Sequence, residues 1–290
     1  MITVVHEESA PMPQPMPVRP AAMASDAAPA ATASATTPTR RIVIFQPDEG
    51  VPTDRIGPWL EEAGTESSAV ELWREPVPGV VELLGDPAPA SLIILGGRDN
   101  AMNHTAYPWL DDVHALIRGA VAADVPVLGI CLGHQILADA LGGEVVVGHP
   151  TAGEEGARVV SLGDAGRADS LFGGLGEAFT VAESHHDAVV RAPEGATVLA
   201  SSEDCPIQAF RIGSAVGVQF HPEASPELMA LWTAGDGGDG EAMLSQMRGA
   251  DDEVRAAGRS LIAAFVREKF SAPRPGRVAA KAWRGAVVKR

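Results

Sequence analysis

Residues 125–143 read VPVLGICLGHQILADALGG, and two different periodicities meet inside them. Val125, Val127, Leu128 and Ile130 form a short apolar, β-branched-rich run of the length expected for a buried parallel strand. From Gly133 onward, Ile136, Leu137, Ala140 and Leu141 recur at helical spacing, and Gly142-Gly143 supplies a stop signal. Cys131 therefore falls in the turn between a strand and a helix. Gly129 and Gly133 on either side permit strained backbone angles and a close strand-to-helix approach, the logic of a nucleophile elbow. The helix N-terminus directs its unpaired N–H groups and positive dipole end toward the sulfur. Taken by itself, a cysteine here can equally be a small buried hydrophobe. The partners that a nucleophile requires have to be found elsewhere in the chain.

A cysteine nucleophile needs a base, and the base needs an orienting group. Far downstream, AVGVQFHPEAS alternates Val216, Val218 and Phe220 as a strand does and ends at His221-Pro222-Glu223. Residues two apart in a strand share a side, and Pro222 stiffens the turn, so His221 and Glu223 can be aimed together at one site. A carboxylate bonded to one ring nitrogen leaves the other facing the thiol. A third apolar run, Leu92 to Leu95, opens into Gly96-Gly97. Backbone N–H groups at such a strand end, with that of Leu132 just after the cysteine, suit a developing oxyanion. A glycine pair after a strand is more often a simple tight turn, so the combination carries the reading.

The segments GICLGHQ, GVQFHPE and the upstream LGG, in this order and spacing, resemble class I glutamine amidotransferase domains over roughly residues 41 to 232. ESHHD at 183–187 is similar to the S-H-x-D segment of that family, and YPWL follows the Gly-Gly loop as in free-standing relatives of the glutaminase domain of GMP synthase. The resemblance implies a flavodoxin-like α/β fold and a catalytic triad of Cys131 as nucleophile, His221 as general base and acid, and Glu223 as the group orienting the imidazole. It implies an oxyanion hole from the amides of Gly97 and Leu132. It implies glutamine contacts from Gln135, Ser184 and His185, with Asp187 supporting their loop. Two departures bear on substrate recognition: the loop after Gly97 reads Arg98-Asp99-Asn100, and His186 stands where the family has a small residue.

Composition fits a soluble, cytoplasmic enzyme. A chain of 290 residues with 46% hydrophobic content can bury one good-sized core. No apolar run approaches the ~20 residues of a membrane span. The net charge of −16 argues against general nucleic-acid binding. The two cysteines, Cys131 and Cys205, do not make a disulfide framework. Cys205, in the polar stretch SSEDCPIQ, has no base near it in sequence and receives no catalytic role. No cofactor and no metal ligand set is expected.

Three segments are expected. Residues 1–40, rich in Pro, Ala, Ser and Thr, carry too few large apolar residues to offset chain entropy and read as a disordered tail without a secretory signal. Residues 41–270 form the domain, and residues 271–290 form a tail with Arg274, Arg277, Lys281, Arg284, Lys289 and Arg290 and no acid. Within the domain, strands are predicted near 42–46, 68–73, 91–95, 125–130, 157–161, 178–182, 197–201, 206–212 and 215–220. Helices are predicted over 53–63, 107–122, 133–141, 225–232 and 241–269. The early alternation predicts a mostly parallel sheet with helices on both faces, and the later β-rich half predicts antiparallel additions at its edge.

The expected reaction is glutamine hydrolysis to glutamate and ammonia. No phosphate loop of the G-x-x-x-x-G-K-[ST] or S-G-G-x-D-S type is seen, so ammonia is expected to go to a partner synthase or to solvent. Two alternatives remain at this level: a γ-glutamyl amine or peptide hydrolase of the same fold, and a non-catalytic regulatory subunit.

Overall fold

A computed structural model describes residues 41–84 and 90–268. The two terminal segments lie outside the described residues. The backbone of the domain is a sheet in which β1 (Arg41–Gln46), β2 (Glu66–Glu71), β3 (Ser91–Ile94), β4 (Val127–Ile130) and β11 (Ala215–Val218) run parallel. Beyond β11 the sheet turns antiparallel through β10 (Ala209–Ile212), β9 (Thr197–Ser201), β6 (Glu154–Leu162) and β7 (Ala178–His185). The full order is β2-β1-β3-β4-β11-β10-β9-β6-β7, which is the parallel sheet with antiparallel additions that the sequence pattern predicts. A separate ribbon pairs β5 (Glu144–Val146) with β8 (Ala188–Arg191).

Apart from the polar, largely exposed edge strand β2, the parallel half is apolar on both faces, and alternate side chains feed two different cores. Phe45, Leu92, Ile94 and Val127 pack on one side with α3 (Leu110–Ala122) and α4 (Leu132–Ala140), whose contributions include Val113, Ile117 and Leu137. Ile44, Ile93, Leu128 and Val216 pack on the other with α1 (Ile56–Glu62) and α7 (Gly240–Arg267), through Leu60, Leu261 and Phe265. This is the period-2 consequence of a sheet covered on both faces. Burying each such Leu, Ile or Phe contributes roughly 1.5–3 kcal/mol. The remaining helices are α2 (Val80–Leu84), α5 (Asp164–Ala168) and α6 (Pro226–Gly235). The side chain of Ser225 caps α6 by accepting from the N–H of Leu228. Among the described residues no helix is long and apolar enough to cross a membrane.

Two glycines let helices approach closely enough to set the strand ends in place. A Cβ built on Gly133 would stand 2.1 Å from the carbonyl oxygen of Ile94, so only glycine lets α4 seat this tightly on β3. On the opposite face, a Cβ on Gly258 of α7 would stand 2.1 Å from the carbonyl oxygen of Pro222.

Two departures from the sequence-based expectation bear on the site. The fold contains α2, α5, β5 and β8, none of them anticipated, each five residues or fewer and too short to show a period. In addition, β6 begins three residues earlier and β7 ends three residues later than expected. The added ends contain Glu154, Glu155, Glu183, Ser184 and His185, which pair as a ladder although they are polar.

Candidate active site

Cys131 leaves β4 with φ 51° and ψ −106°, a conformation that L-residues rarely adopt and that the surrounding packing must hold. Gly129 and Gly133 supply the room: a Cβ on Gly129 would stand 2.4 Å from the carbonyl oxygen of Gly133. The predicted elbow is therefore present. Leu132 is the first helical residue after it, so its N–H lacks an intrahelical acceptor.

His221 lies at the end of the segment that follows β11, and its N–H donates to the carbonyl of Ala182 in β7 at 2.8 Å. Its Nδ1 bonds Oε1 of Glu223 at 2.7 Å, with the imidazole 3% exposed and the carboxylate fully buried. The indole of Trp232 covers the ring, with centroids 4.7 Å apart, and is itself anchored by its N–H to the carbonyl of Gly50 at 2.7 Å. Burial opposes a charge on this ring, but the Glu223 carboxylate and the Cys131 sulfur beside it outweigh that and hold its pKa well above the ordinary histidine value. The Cys131 side chain and the His221 ring lie on either side of Gly96, close enough for each to act on the other's charge. A thiol, an imidazole and a carboxylate thus form one buried chain, the arrangement of nucleophilic catalysis.

The glycine pair after β3 closes the third side. A Cβ on Gly96 would stand 2.8 Å from Cε1 of His221 and 3.6 Å from Cβ of Cys131, and one on Gly97 would stand 2.6 Å from Cδ2 of Leu132. Gly97 and Leu132, the two predicted oxyanion donors, are neighbours in space. The loop beyond them is well tied. Arg98 donates to Asp48 through Nη2 at 2.9 Å and Nε at 3.1 Å, and Asp99 accepts from the amides of Asn100 and Asn103 at 2.7 to 3.1 Å. Tyr107 of YPWL accepts from the N–H of Asp99 at 3.1 Å, and burial pushes its hydroxyl up to about 12.

The three residues expected to contact glutamine are not equivalent. The carbonyl of Ser184 stands 3.9 Å from the sulfur of Cys131, so this residue lines the site. The side chain of Gln135 is buried and donates to the carbonyl of Asp187 at 3.2 Å and to Oε1 of Gln219 at 3.3 Å. His185 turns its ring inward, bonding the carbonyl of Asp187 through Nδ1 at 2.9 Å. Asp187 accepts from the N–H of Gly148 at 2.7 Å, the loop-supporting contact expected of it, and His186 is exposed.

His134, next to the elbow, has no part in this chain of groups: it is fully buried against Phe210, and burial lowers its pKa to about 3. Cys205 lies apart from this chain of groups. It has no base near it in sequence, yet it is fully buried with its sulfur within 4.8 Å of ligand-capable atoms of Glu154 and His185, and burial pushes its thiol up to about 12. Sequence reasoning also missed Trp232, which reads there as one apolar position of a short helix.

Residues 61–231, more than half of the chain, match the family model Glutamine amidotransferase class-I. The chain belongs to that family. A glutamine-hydrolysing GMP synthase subunit from Thermococcus kodakarensis is 32% identical over 186 residues, which are 63% of this chain and 90% of that protein. The GMP synthase of Leifsonia xyli is 45% identical over 138 residues, 47% of this chain and 26% of the relative, and a GMP synthase subunit of Sulfolobus acidocaldarius is 46% identical over 102 residues, 34% and 52%. The chain thus spans about a quarter to a half of these last two. A glutamine amidotransferase from Thermotoga maritima superposes with a TM-score of 0.68 at 25% identity, over 79% of this chain and 99% of that one. As a class-I glutamine amidotransferase the chain is an enzyme of the cysteine-dependent kind.

Proposed function

We propose that this chain hydrolyses the side-chain amide of glutamine, with Cys131 as nucleophile, His221 as general acid and base and Glu223 as the group that orients and charges the imidazole. The observation that carries the reading is the buried 2.7 Å His221–Glu223 bond beside a cysteine held at positive φ. The proton of Cys131 passes to His221 and the sulfur attacks the amide carbon. The oxyanion that forms lies toward the N–H groups of Gly97 and Leu132. His221 then returns its proton to the nitrogen as the C–N bond breaks, ammonia leaves, and a γ-glutamyl thioester remains on Cys131. Water, losing a proton to His221, attacks the thioester and releases glutamate and the thiol. Ser184 forms part of the substrate wall, while Gln135 and His185 act behind it by holding the backbone at Asp187.

The relatives that are separate GMP synthase subunits favour an ammonia acceptor on a second polypeptide, a partner synthase. A free thiol nucleophile suits a reducing, cytoplasmic location. The domain is assigned to residues 41–270, flanked by the two tails.

Ammonia release from glutamine by the purified chain tests this, together with intact-mass detection of a glutamine-analogue adduct on Cys131. Ammonia release and a single adduct mapping to Cys131 are expected. Rapid turnover of substituted γ-glutamyl amides without glutamine hydrolysis would replace the reading by the γ-glutamyl hydrolase one.

A further inference from the structure

A second constellation of reactive groups lies behind the wall formed by Ser184. Glu154 opens β6 and His185 closes β7, and the two are direct partners in the antiparallel ladder. Cys205 enters from the loop between β9 and β10. One carboxylate oxygen, one ring nitrogen and the sulfur of these three lie within 4.8 Å of one another, and all three residues are buried.

The hydrogen bonds around them leave the acceptors short of donors. A carbonyl oxygen only accepts, so Nδ1 of His185, 2.9 Å from the carbonyl of Asp187, carries the proton. In the neutral ring, Nε2 then presents a lone pair. It points at Oε2 of Glu183, 3.5 Å away, and Oε2 of Glu154, 3.9 Å away. Glu183 is fully buried, and neither of its oxygens makes a hydrogen bond of normal geometry, its approach to the Gln208 amide included. Oε1 of Gln208 is buried without a partner as well. Lone pairs of an imidazole, a carboxylate and a thiol therefore lie close together, with the Glu183 carboxylate beside the imidazole. Buried groups of this kind are costly unless a cation or further protons satisfy them.

We infer that Glu154, His185 and Cys205 bind a divalent transition-metal ion, Zn²⁺ by its ligand chemistry. Mixed sulfur, imidazole and carboxylate donors suit Zn²⁺ and do not suit Mg²⁺ or Ca²⁺. Zinc bonds of about 2.0–2.3 Å set tetrahedral ligands ~3.5 Å apart, so closure requires movement of about an ångström. The supporting hydrogen bonds are in place. Nδ1–H of His185 donates to a backbone carbonyl, the usual support of a metal-bound imidazole. Glu154 accepts from Oγ of Ser202 at 2.6 Å and from Nε2 of Gln208 at 2.5 Å, and Oγ of Ser202 also accepts from the N–H of Cys205 at 3.0 Å. Binding releases the thiol proton to solvent. The ion fastens the end of β7, and with it the Ser184 carbonyl beside Cys131. It departs from the sequence expectation of no metal ligands, because its three residues are scattered over the chain. It does not depend on glutamine being the substrate.

The full chain, unfolded and refolded with Zn²⁺ or Co²⁺ and then passed over a chelating resin, is assayed for metal per chain and for the thiolate-to-cobalt charge-transfer band. About one ion per chain is expected, with the band present in wild type and in protein whose Cys131 is already alkylated. Cys205→Ser and Glu154→Gln, checked for folding by circular dichroism, lose the ion. Metal-loaded wild type melts higher than metal-free protein. If His185 is instead an imidazolium shared by two carboxylates, no ion is retained and zinc leaves the melting temperature unchanged. Either that result or a band abolished by alkylating Cys131 overturns the inference. The alkylated wild-type arm decides the matter even where a substituted chain fails to fold.

Discussion

Cys131 stands at the end of the parallel half of the sheet and Cys205 beside its antiparallel half, and each has a histidine and a carboxylate for company. In the first group the carboxylate bonds the imidazole directly, at 2.7 Å, and the histidine is pulled toward its charged form. In the second the imidazole spends its proton on a backbone carbonyl, the carboxylates stand 3.5 and 3.9 Å off, and the thiol is raised to about 12. The three residue types are shared. What separates them is which ring nitrogen finds a carboxylate and whether the sulfur sits at a helix N-terminus.

The largest effect that this contrast predicts is on turnover. Cys131→Ser lowers ammonia release roughly 10⁴-fold or more, because the site is tuned for a thiol. In native protein, iodoacetamide followed by peptide mapping labels Cys131 and spares Cys205. Label on Cys205 without unfolding would remove the distinction. Cys205→Ser acts instead on stability, by about 1–3 kcal/mol, read as a lower melting temperature.

Glu223→Gln comes next, with ammonia release reduced by roughly 10²-fold. The amide keeps the shape and loses the charge, so the pKa of His221 falls from its raised value. The imidazolium that stabilises the Cys131 thiolate is then less favoured. Alkylation of Cys131 near pH 7 slows, and its rate profile moves to higher pH. If Glu223 serves only packing, the melting temperature falls while the Cys131 profile stays put.

The smallest effect is expected at Arg98, whose ion pair with Asp48 is the visible departure in the glycine-pair loop. Its side chain is 68% exposed, so Arg98→Gln changes stability by about 0–1 kcal/mol. An effect confined to KM would show that the arginine takes part in substrate recognition. Unchanged KM and kcat leave it as a loop tie.

The parallel half of this contrast is legible in the sequence, since a run such as Leu92 to Leu95 is apolar on both faces and Cys131 lies where strand spacing gives way to helix spacing. The two-residue offset of His221 and Glu223 is visible for the same reason. The antiparallel half is harder to read. Glu154, Glu183 and His185 are polar residues inside strands, and a rule that equates polarity with solvent places them in loops. Cys205 looks exposed because Ser202, Glu203 and Asp204 precede it, yet it is the residue of that turn that points inward. The contacts of Trp232 and Gly258 arise from helices packing across the chain, which no local period records.

Gly258 bears on any attempt to make this enzyme more heat-resistant. Replacing a helical glycine by alanine ordinarily gains about 1 kcal/mol, and the interior of α7 offers two candidates that look alike on paper. At Gly249 a methyl group would meet nothing within 4 Å, and the substitution should raise the melting temperature. At Gly258 the same methyl would press on the carbonyl of Pro222, between His221 and Glu223, so heat tolerance and turnover should fall together. Within one helix, a routine stabilising change reverses sign nine residues further on, because there the helix serves as the back-stop for the His221-Pro222-Glu223 turn.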